Sequence, residues 1–110
     1  MPDGSLTERQ LGDIATEVLF ENDRVRIWSM ILEPGEETPV HQHDLEYIQV
    51  QLAGDRIAGA PEPDNEGRYT EYREHDVQPG QFWFMPRGGV EVAKNVGHET
   101  YKGLLIELKD

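Results

Sequence analysis

The sequence contains no cysteine. This absence excludes disulfide bonds, thiolate metal sites and a cysteine nucleophile. No run of apolar residues is long enough to span a bilayer, so we expect no transmembrane helix. The opening stretch, Met1 to Ser5, lacks the basic-then-apolar pattern of a signal peptide, and we therefore expect a cytoplasmic protein.

Basic residues are also scarce. Ten lysines and arginines stand against 22 aspartates and glutamates, which gives a formal net charge of −12. Phosphate backbones and anionic membrane surfaces repel a chain of this charge. We therefore expect neither a nucleic acid nor a membrane as its partner.

What the sequence does contain is typical of one small globular domain. Its 110 residues can bury a single core, and 36% of them are hydrophobic. Residues 1–12 are polar and include two glycines, which predicts a flexible N-terminal arm. The remainder, residues 13–110, is predicted to form a single domain.

Short segments rich in Val, Ile, Phe, Tyr and Trp alternate with turn residues along this domain. The pattern predicts an all-β sandwich or barrel with little helix. Proline, asparagine and glycine between Pro61 and Gly67 predict a loop there. The predicted strands are 16–21, 25–33, 45–53, 68–74, 81–85, 89–95 and 100–108.

Two histidines, His41 and His43, stand two residues apart. In a strand, residues at this spacing point to the same face, so the two imidazoles converge as a metal ion requires. By itself the pair favours the other interpretation, two polar residues on a solvated strand face. The surrounding sequence decides between these interpretations.

Two sequence motifs in order give this chain a resemblance to the cupins. Gly35, five further residues, His41 and His43, and a strand ending at Gly54 resemble the first cupin motif. The second motif is matched at Gly80, Pro86, Gly88 and Asn95, with Glu91 where the family has histidine. The resemblance covers roughly residues 16–109 and is strongest to small single-domain cupins, in particular the group associated with β-alanine degradation. It implies a double-stranded β-helix, or jelly-roll, barrel with metal ligands inside.

The chain departs from the family at the carboxylate of the first motif. Glu46 lies one residue before the usual position, which Tyr47 occupies. Strict alternation points Tyr47, Gln49 and Gln51 into the barrel and Glu46 outward, whereas a one-residue bulge would bring Glu46 inward. Both arrangements are compatible with the sequence.

The second departure is Glu91. A carboxylate can replace imidazole on a divalent metal, and an oxygen-rich set favours Fe, Mn, Zn or Ni. The alternative is that Glu91 marks the loss of the metal. The candidate ligands are His41, His43, Glu46 and Glu91, and the candidate pocket residues are Tyr47, Gln49, Gln51, Trp83 and Arg87.

Together with these residues, the cupin resemblance implies a metal-dependent enzyme acting on a small polar molecule, of the dioxygenase, decarboxylase, isomerase or lyase type, with no catalytic residue identified. The alternatives are a non-catalytic module that binds or senses a small molecule, or a structural dimer with a degenerate site. We expect a homodimer, since small cupins pair through their sheets. Strict alternation also points Ile48, Val50 and Leu52 away from the barrel interior as an apolar face.

Overall fold

The computed structural model of the chain describes residues 12, 14–65 and 71–110. These residues form nine β-strands and no helix, which confirms the predicted all-β class. The predicted arm at 1–12 lies, apart from Gly12, outside the described residues. The strands are β1 (Glu17–Glu21), β2 (Val25–Leu32), β3 (His41–Gln42), β4 (Tyr47–Ala53), β5 (Arg56–Pro61), β6 (Arg73–Asp76), β7 (Phe82–Met85), β8 (Val90–Asn95) and β9 (Tyr101–Leu108).

The strands make two antiparallel sheets. One has five strands in the order β1-β2-β9-β4-β7, and the other has four in the order β3-β8-β5-β6. Strands far apart in the sequence thus lie side by side, which is the arrangement of the predicted jelly roll. Within the described ranges no helix has the length and apolar character needed to cross a membrane.

The core lies between the two sheets. In β9 every second residue points into it and is buried, whereas β1 is exposed along its whole length. The largest contributions come from one aromatic and aliphatic cluster that draws on both sheets. Its members include Trp28, Met30, Leu32, Tyr47, Ile57, Met85, Tyr101 and Leu105.

Two strands were not predicted from the sequence. β3 has only two residues, and β5 reads Arg-Ile-Ala-Gly-Ala-Pro, a composition with low intrinsic preference for strand. β5 nevertheless forms because it pairs with β8 on one side and β6 on the other. The predicted strand at 68–74 is described only from residue 71, and there β6 runs from Arg73 to Asp76.

Candidate metal centre

β3 places the two histidines beside β8. His41 pairs directly with Glu91 in the antiparallel register. The pairing continues past the strand, since the His43 amide donates to the Gly89 carbonyl at 2.7 Å and the Gly88 amide donates to the His43 carbonyl at 2.8 Å. Both imidazoles are 1% exposed. The alternation within His-x-His therefore turns both rings into the barrel.

His41, His43 and Glu91 form one cluster of potential metal ligands. One donor atom from each lies within 4.8 Å of the other two. Two ligands on opposite sides of a divalent ion are about 4 Å apart, because metal–nitrogen and metal–oxygen distances are about 2.0–2.2 Å. The cluster could therefore hold one ion after small side-chain adjustments.

His41 is held in a defined orientation. Its Nδ1 lies 3.0 Å from the Pro39 carbonyl and 3.2 Å from the Thr38 hydroxyl. Burial, together with the neighbouring His43, lowers the pKa of His41 to about 4, so the ring is neutral at neutral pH. A neutral ring whose Nδ1 faces a carbonyl carries its proton there, which leaves the Nε2 lone pair for a metal.

His43 has a different environment. Its Nε2 lies 3.7 Å from the Glu91 carboxylate, and its ring stacks on Tyr47 with 4.1 Å between centroids. Its Nδ1 is buried without a hydrogen-bond partner among the described residues. A buried polar atom of this kind needs an explanation, and the donor set of two imidazoles and one carboxylate fits a divalent ion.

Glu91 supplies the negative charge of the cluster. Burial raises the pKa of its carboxyl group, but the nearby imidazole of His43 and the positive charge of Arg73 outweigh burial and hold the pKa below its usual value. Glu91 is therefore ionised at neutral pH. An ionised carboxylate is the form that ligates a metal.

The start of β4 follows the strict alternation without a bulge, and the register with β9 shifts only later, between Gln51 and Ala53. Tyr47 is buried against His43, whereas the half-buried Glu46 lies outside the cluster, and its charge acts on Arg87. Since its neighbour Tyr47 takes the inward position, Glu46 does not join the ligands that the structure brings together.

A pocket of about 60 Å³ adjoins the cluster, and Glu91 lies in its wall. Two predicted pocket residues, Gln49 and Trp83, line it. His75 packs on Trp83 with 5.0 Å between ring centroids and also lines the pocket. The other lining residues are Ile57, Ala58, Gly59, Arg73, Met85 and Ala93.

The remaining predicted pocket residues have other neighbours. Gln51 is completely buried and accepts a hydrogen bond from the Tyr101 hydroxyl, to which the Gln49 amide also donates at 3.1 Å. Arg87 is exposed and pairs with Asp110 through two contacts of 3.1 Å. Neither Gln51 nor Arg87 is among the lining residues of this pocket.

Sequence reasoning missed two charged residues of the interior. Glu107 is buried and accepts hydrogen bonds from Arg26 Nε and Trp28 Nε1, both at 2.7 Å. The period of two along β9 could have revealed it, because Glu107 shares the inward face with Leu105. Arg73 had no such signal, although it lay inside the predicted strand at 68–74, because burial along β6 shows no period of two and its pairing with Gly59 joins distant residues.

Comparison with known proteins adds to this geometry. The family described as "Auxin binding protein" matches residues 2–107. Auxin-binding protein T85 of Nicotiana tabacum and auxin-binding protein 1 of Arabidopsis thaliana are each 30% identical over 95 residues, or 84% of this chain. The chain spans about half the length of these curated relatives, 50% and 46%.

A solved structure shows the same fold. The crystal structure of a cupin domain from Bordetella pertussis Tohama I superposes with a TM-score of 0.72 at 22% identity. The match covers 93% of this chain and 98% of that one. The double-stranded β-helix is thus shared over nearly the whole of both chains.

Proposed function

This chain belongs to the auxin-binding-protein family of cupins, and from that membership we propose that it binds a small molecule at a divalent metal ion held by His41, His43 and Glu91. The observation that carries the proposal is the convergence of these three side chains on one another, with one of them, Glu91, also lining a pocket. A bound divalent ion would supply Lewis acidity to a ligand entering the pocket. Fe, Mn, Zn and Ni all suit two imidazoles and a carboxylate.

The protein residues have distinct parts in this proposal. His41 offers a neutral imidazole whose orientation is fixed by the Pro39 carbonyl. Glu91 would neutralise part of the metal charge, and its side chain also lines the pocket. Tyr47 stacks on His43 and holds that ring in place.

Calorimetric titration with Zn(II) tests the site in four proteins. The wild type should bind one Zn(II) per chain, and Glu91→Ala should bind it about 10- to 100-fold more weakly because a ligand is lost. Glu91→His should bind at least as tightly as the wild type, since imidazole replaces carboxylate. Glu46→Ala is the matched control and should bind like the wild type. Equal affinity in Glu91→Ala and the wild type would contradict the proposal.

A second candidate function is metal-dependent catalysis on a small polar molecule. The favouring observation is that the cluster offers three protein ligands, which leaves positions open for substrate, as in catalytic metal sites. The test is an NMR time course on a mixture of small polar metabolites with metal-loaded protein. Depletion of one compound by the wild type, but not by His41→Ala, would support an enzyme of the dioxygenase, decarboxylase, isomerase or lyase type. Unchanged spectra would favour binding without turnover.

We also propose that two copies pair through the outer face of the five-stranded sheet. The register lines up an apolar row across all five strands, and a second row lies beside it on β7, β4 and β9. The first row is Phe84, Ile48, Ile106, Ile27 and Phe20, and the second is Phe82, Val50 and Leu104. A chain with a net charge of −12 repels its own copies except where a surface is uncharged, and a two-fold pairing matches this surface to itself.

Light scattering during gel filtration tests the pairing. The wild type should elute at twice the mass of one chain. Phe84 is 49% exposed, and Phe84→Lys should produce a monomer because it places a cation in the apolar row. Tyr72, 57% exposed on the other sheet's side, gives the matched control Tyr72→Lys, which should stay dimeric. A monomeric wild type at micromolar concentration would contradict the pairing.

Two finer predictions from the sequence also stand as proposals. One is a cytoplasmic location, which fractionation of the source cells would test. The other is a closer relationship to the cupins of β-alanine degradation, which a competition assay with β-alanine at the metal-loaded pocket would test.

A further inference from the structure

We propose that the pocket takes a small aliphatic carboxylate and that Arg73 binds its carboxylate group. The inference rests on the metal site proposed above and extends it to the chemical class of the ligand. Its first basis is the position of Arg73, which reaches into the pocket wall from a strand that no cupin motif includes.

The backbone of β5 makes room for the Arg73 guanidinium. Arg73 pairs with Gly59 in the antiparallel register, and a Cβ on Gly59 would lie 3.2 Å from Arg73 Cζ and Nη1. The guanidinium therefore lies flat against the glycine. Across β5 it approaches Glu91, with 3.6 Å between Nη2 and Oε1. A side chain at position 59 would keep the cation away from the metal ligand.

The charges around the pocket favour an anion. Among its described lining residues, Arg73 and Glu91 are the ones with a permanent charge, and these two offset each other. A divalent ion on His41, His43 and Glu91 makes the pocket net positive. The 3.6 Å between Arg73 Nη2 and Glu91 Oε1 is also longer than the 2.7–2.9 Å of a charged hydrogen bond, whereas a ligand carboxylate could meet a guanidinium in the shorter, two-pronged geometry.

The volume and the lining of the pocket limit the size and polarity of the part of the ligand beyond its carboxylate group. Its volume is about 60 Å³, and one water molecule needs about 10–15 Å³ measured in the same way, so roughly four to six non-hydrogen atoms fit. Ile57, Met85 and Ala93 provide apolar walls. An aliphatic acid the size of propionate meets both limits, whereas an aromatic acid exceeds the volume.

Calorimetry with propionate tests the inference on Zn(II)-loaded and metal-free protein. The loaded wild type should bind propionate, and Arg73→Gln should weaken this binding about tenfold or more, since a charge-assisted contact is lost. Arg73→Lys should recover part of the loss, because it keeps the charge without the planar fork. Arg24→Gln, which changes an exposed arginine of a distant turn, is the matched control and should bind like the wild type.

A second variant leaves Arg73 in place. Gly59→Ala should displace the guanidinium, because the new methyl group would lie closer to it than most side-chain contacts allow. The displaced atoms belong to the end of a flexible side chain, so the thermal unfolding midpoint should change little. Propionate binding should weaken in Gly59→Ala as it does in Arg73→Gln. Propanamide and phenylacetate should bind more weakly than propionate, the first for lack of charge and the second for its size.

The outcomes separate this inference from the metal proposal. If Zn(II) binds and propionate binds equally well to the wild type and to Arg73→Gln and Gly59→Ala, the inference is overturned and the metal site stands. If propionate binding depends on Arg73 in a protein that does not bind Zn(II), the inference is supported and the metal proposal fails. No propionate binding to the loaded wild type, or phenylacetate binding as tight as that of propionate, overturns the inference.

Discussion

Glu107→Gln should destabilise the fold by about 1–2 kcal/mol. The Glu107 side chain is 1% exposed, and one of its oxygens accepts from both Arg26 Nε and Trp28 Nε1 at 2.7 Å. A hydrogen bond to a charged acceptor contributes about 1.5–3 kcal/mol and a neutral one about 0.5–1.5 kcal/mol, so glutamine loses about 1 kcal/mol per bond. Arg26 is 31% exposed, and solvent screening reduces its share.

Removing the acceptor altogether should cost more. In Glu107→Leu the buried Trp28 N–H has no acceptor, which costs about 1–3 kcal/mol by itself. Arg26 also loses its buried partner, although its exposure allows water to replace part of that contact. The total destabilisation should therefore be about 3 kcal/mol.

Urea unfolding followed by circular dichroism measures these differences. All variants should be compared at one protein concentration, because dimerisation would add to the apparent stability. Glu17→Gln, a change at an exposed position of β1, is the control and should stay within about 0.5 kcal/mol of the wild type. If Glu107→Gln unfolds at the same urea concentration as the control, the Glu107 carboxylate does not stabilise the interior as the two short contacts indicate.

Three further predictions concern pH, a turn and the core. His41 has a pKa of about 4 in the folded protein against a usual 6.5, so the unfolded chain takes up a proton at a higher pH than the folded protein does. The free energy of unfolding of the metal-free protein should therefore fall as pH drops from about 6.5 to about 4, by about 3 kcal/mol at most. A flat profile between pH 6.5 and about 5, which lies above the range where carboxylates titrate, would contradict this. Gly54→Ala should destabilise the fold by about 2–3 kcal/mol, because φ is +121° and a Cβ would lie 3.1 Å from Tyr101 Cα. Gly80→Ala, at a φ of +89° with open space around the new Cβ, should destabilise it by about 1 kcal/mol. Equal losses of stability in thermal melts would show that the contact with Tyr101 contributes nothing to the cost at Gly54. Leu105→Ala, at a position 1% exposed, should cost about 2–5 kcal/mol in urea unfolding, and a loss below about 1 kcal/mol would mean that the core is loosely packed there.

Local patterns in the sequence were sufficient for the fold class. The β-branched and aromatic segments became β1, β2, β4, β7, β8 and β9 because side chains of this shape pack well on a pleated surface. The motif glycines Gly35, Gly54, Gly80 and Gly88 all have positive φ, which glycine adopts readily because it has no Cβ. The spacing of His41 and His43 was enough to put both rings on one face, because the period of a strand is a local property.

Tertiary structure decided what depends on pairing between distant segments. Whether Glu46 or Tyr47 faced inward depended on a bulge, and only the alignment of β4 with β7 and β9 shows that its start is regular. β5 has a weak local preference for strand and exists because β6 and β8 pair with it on both sides.

The composition of the site shows the same division. The sequence by itself determined that His41 and His43 converge, since two residues of one strand share a face. Only the register between β3 and β8 placed Glu91 beside them, and only the pairing of Arg73 with Gly59 brought a cation into the same pocket. A hydrogen-bonded register joins residues tens of positions apart, and a shift of one residue turns every side chain of a strand to the other face. That choice depends on the packing of whole sheets, which no local stretch of sequence encodes.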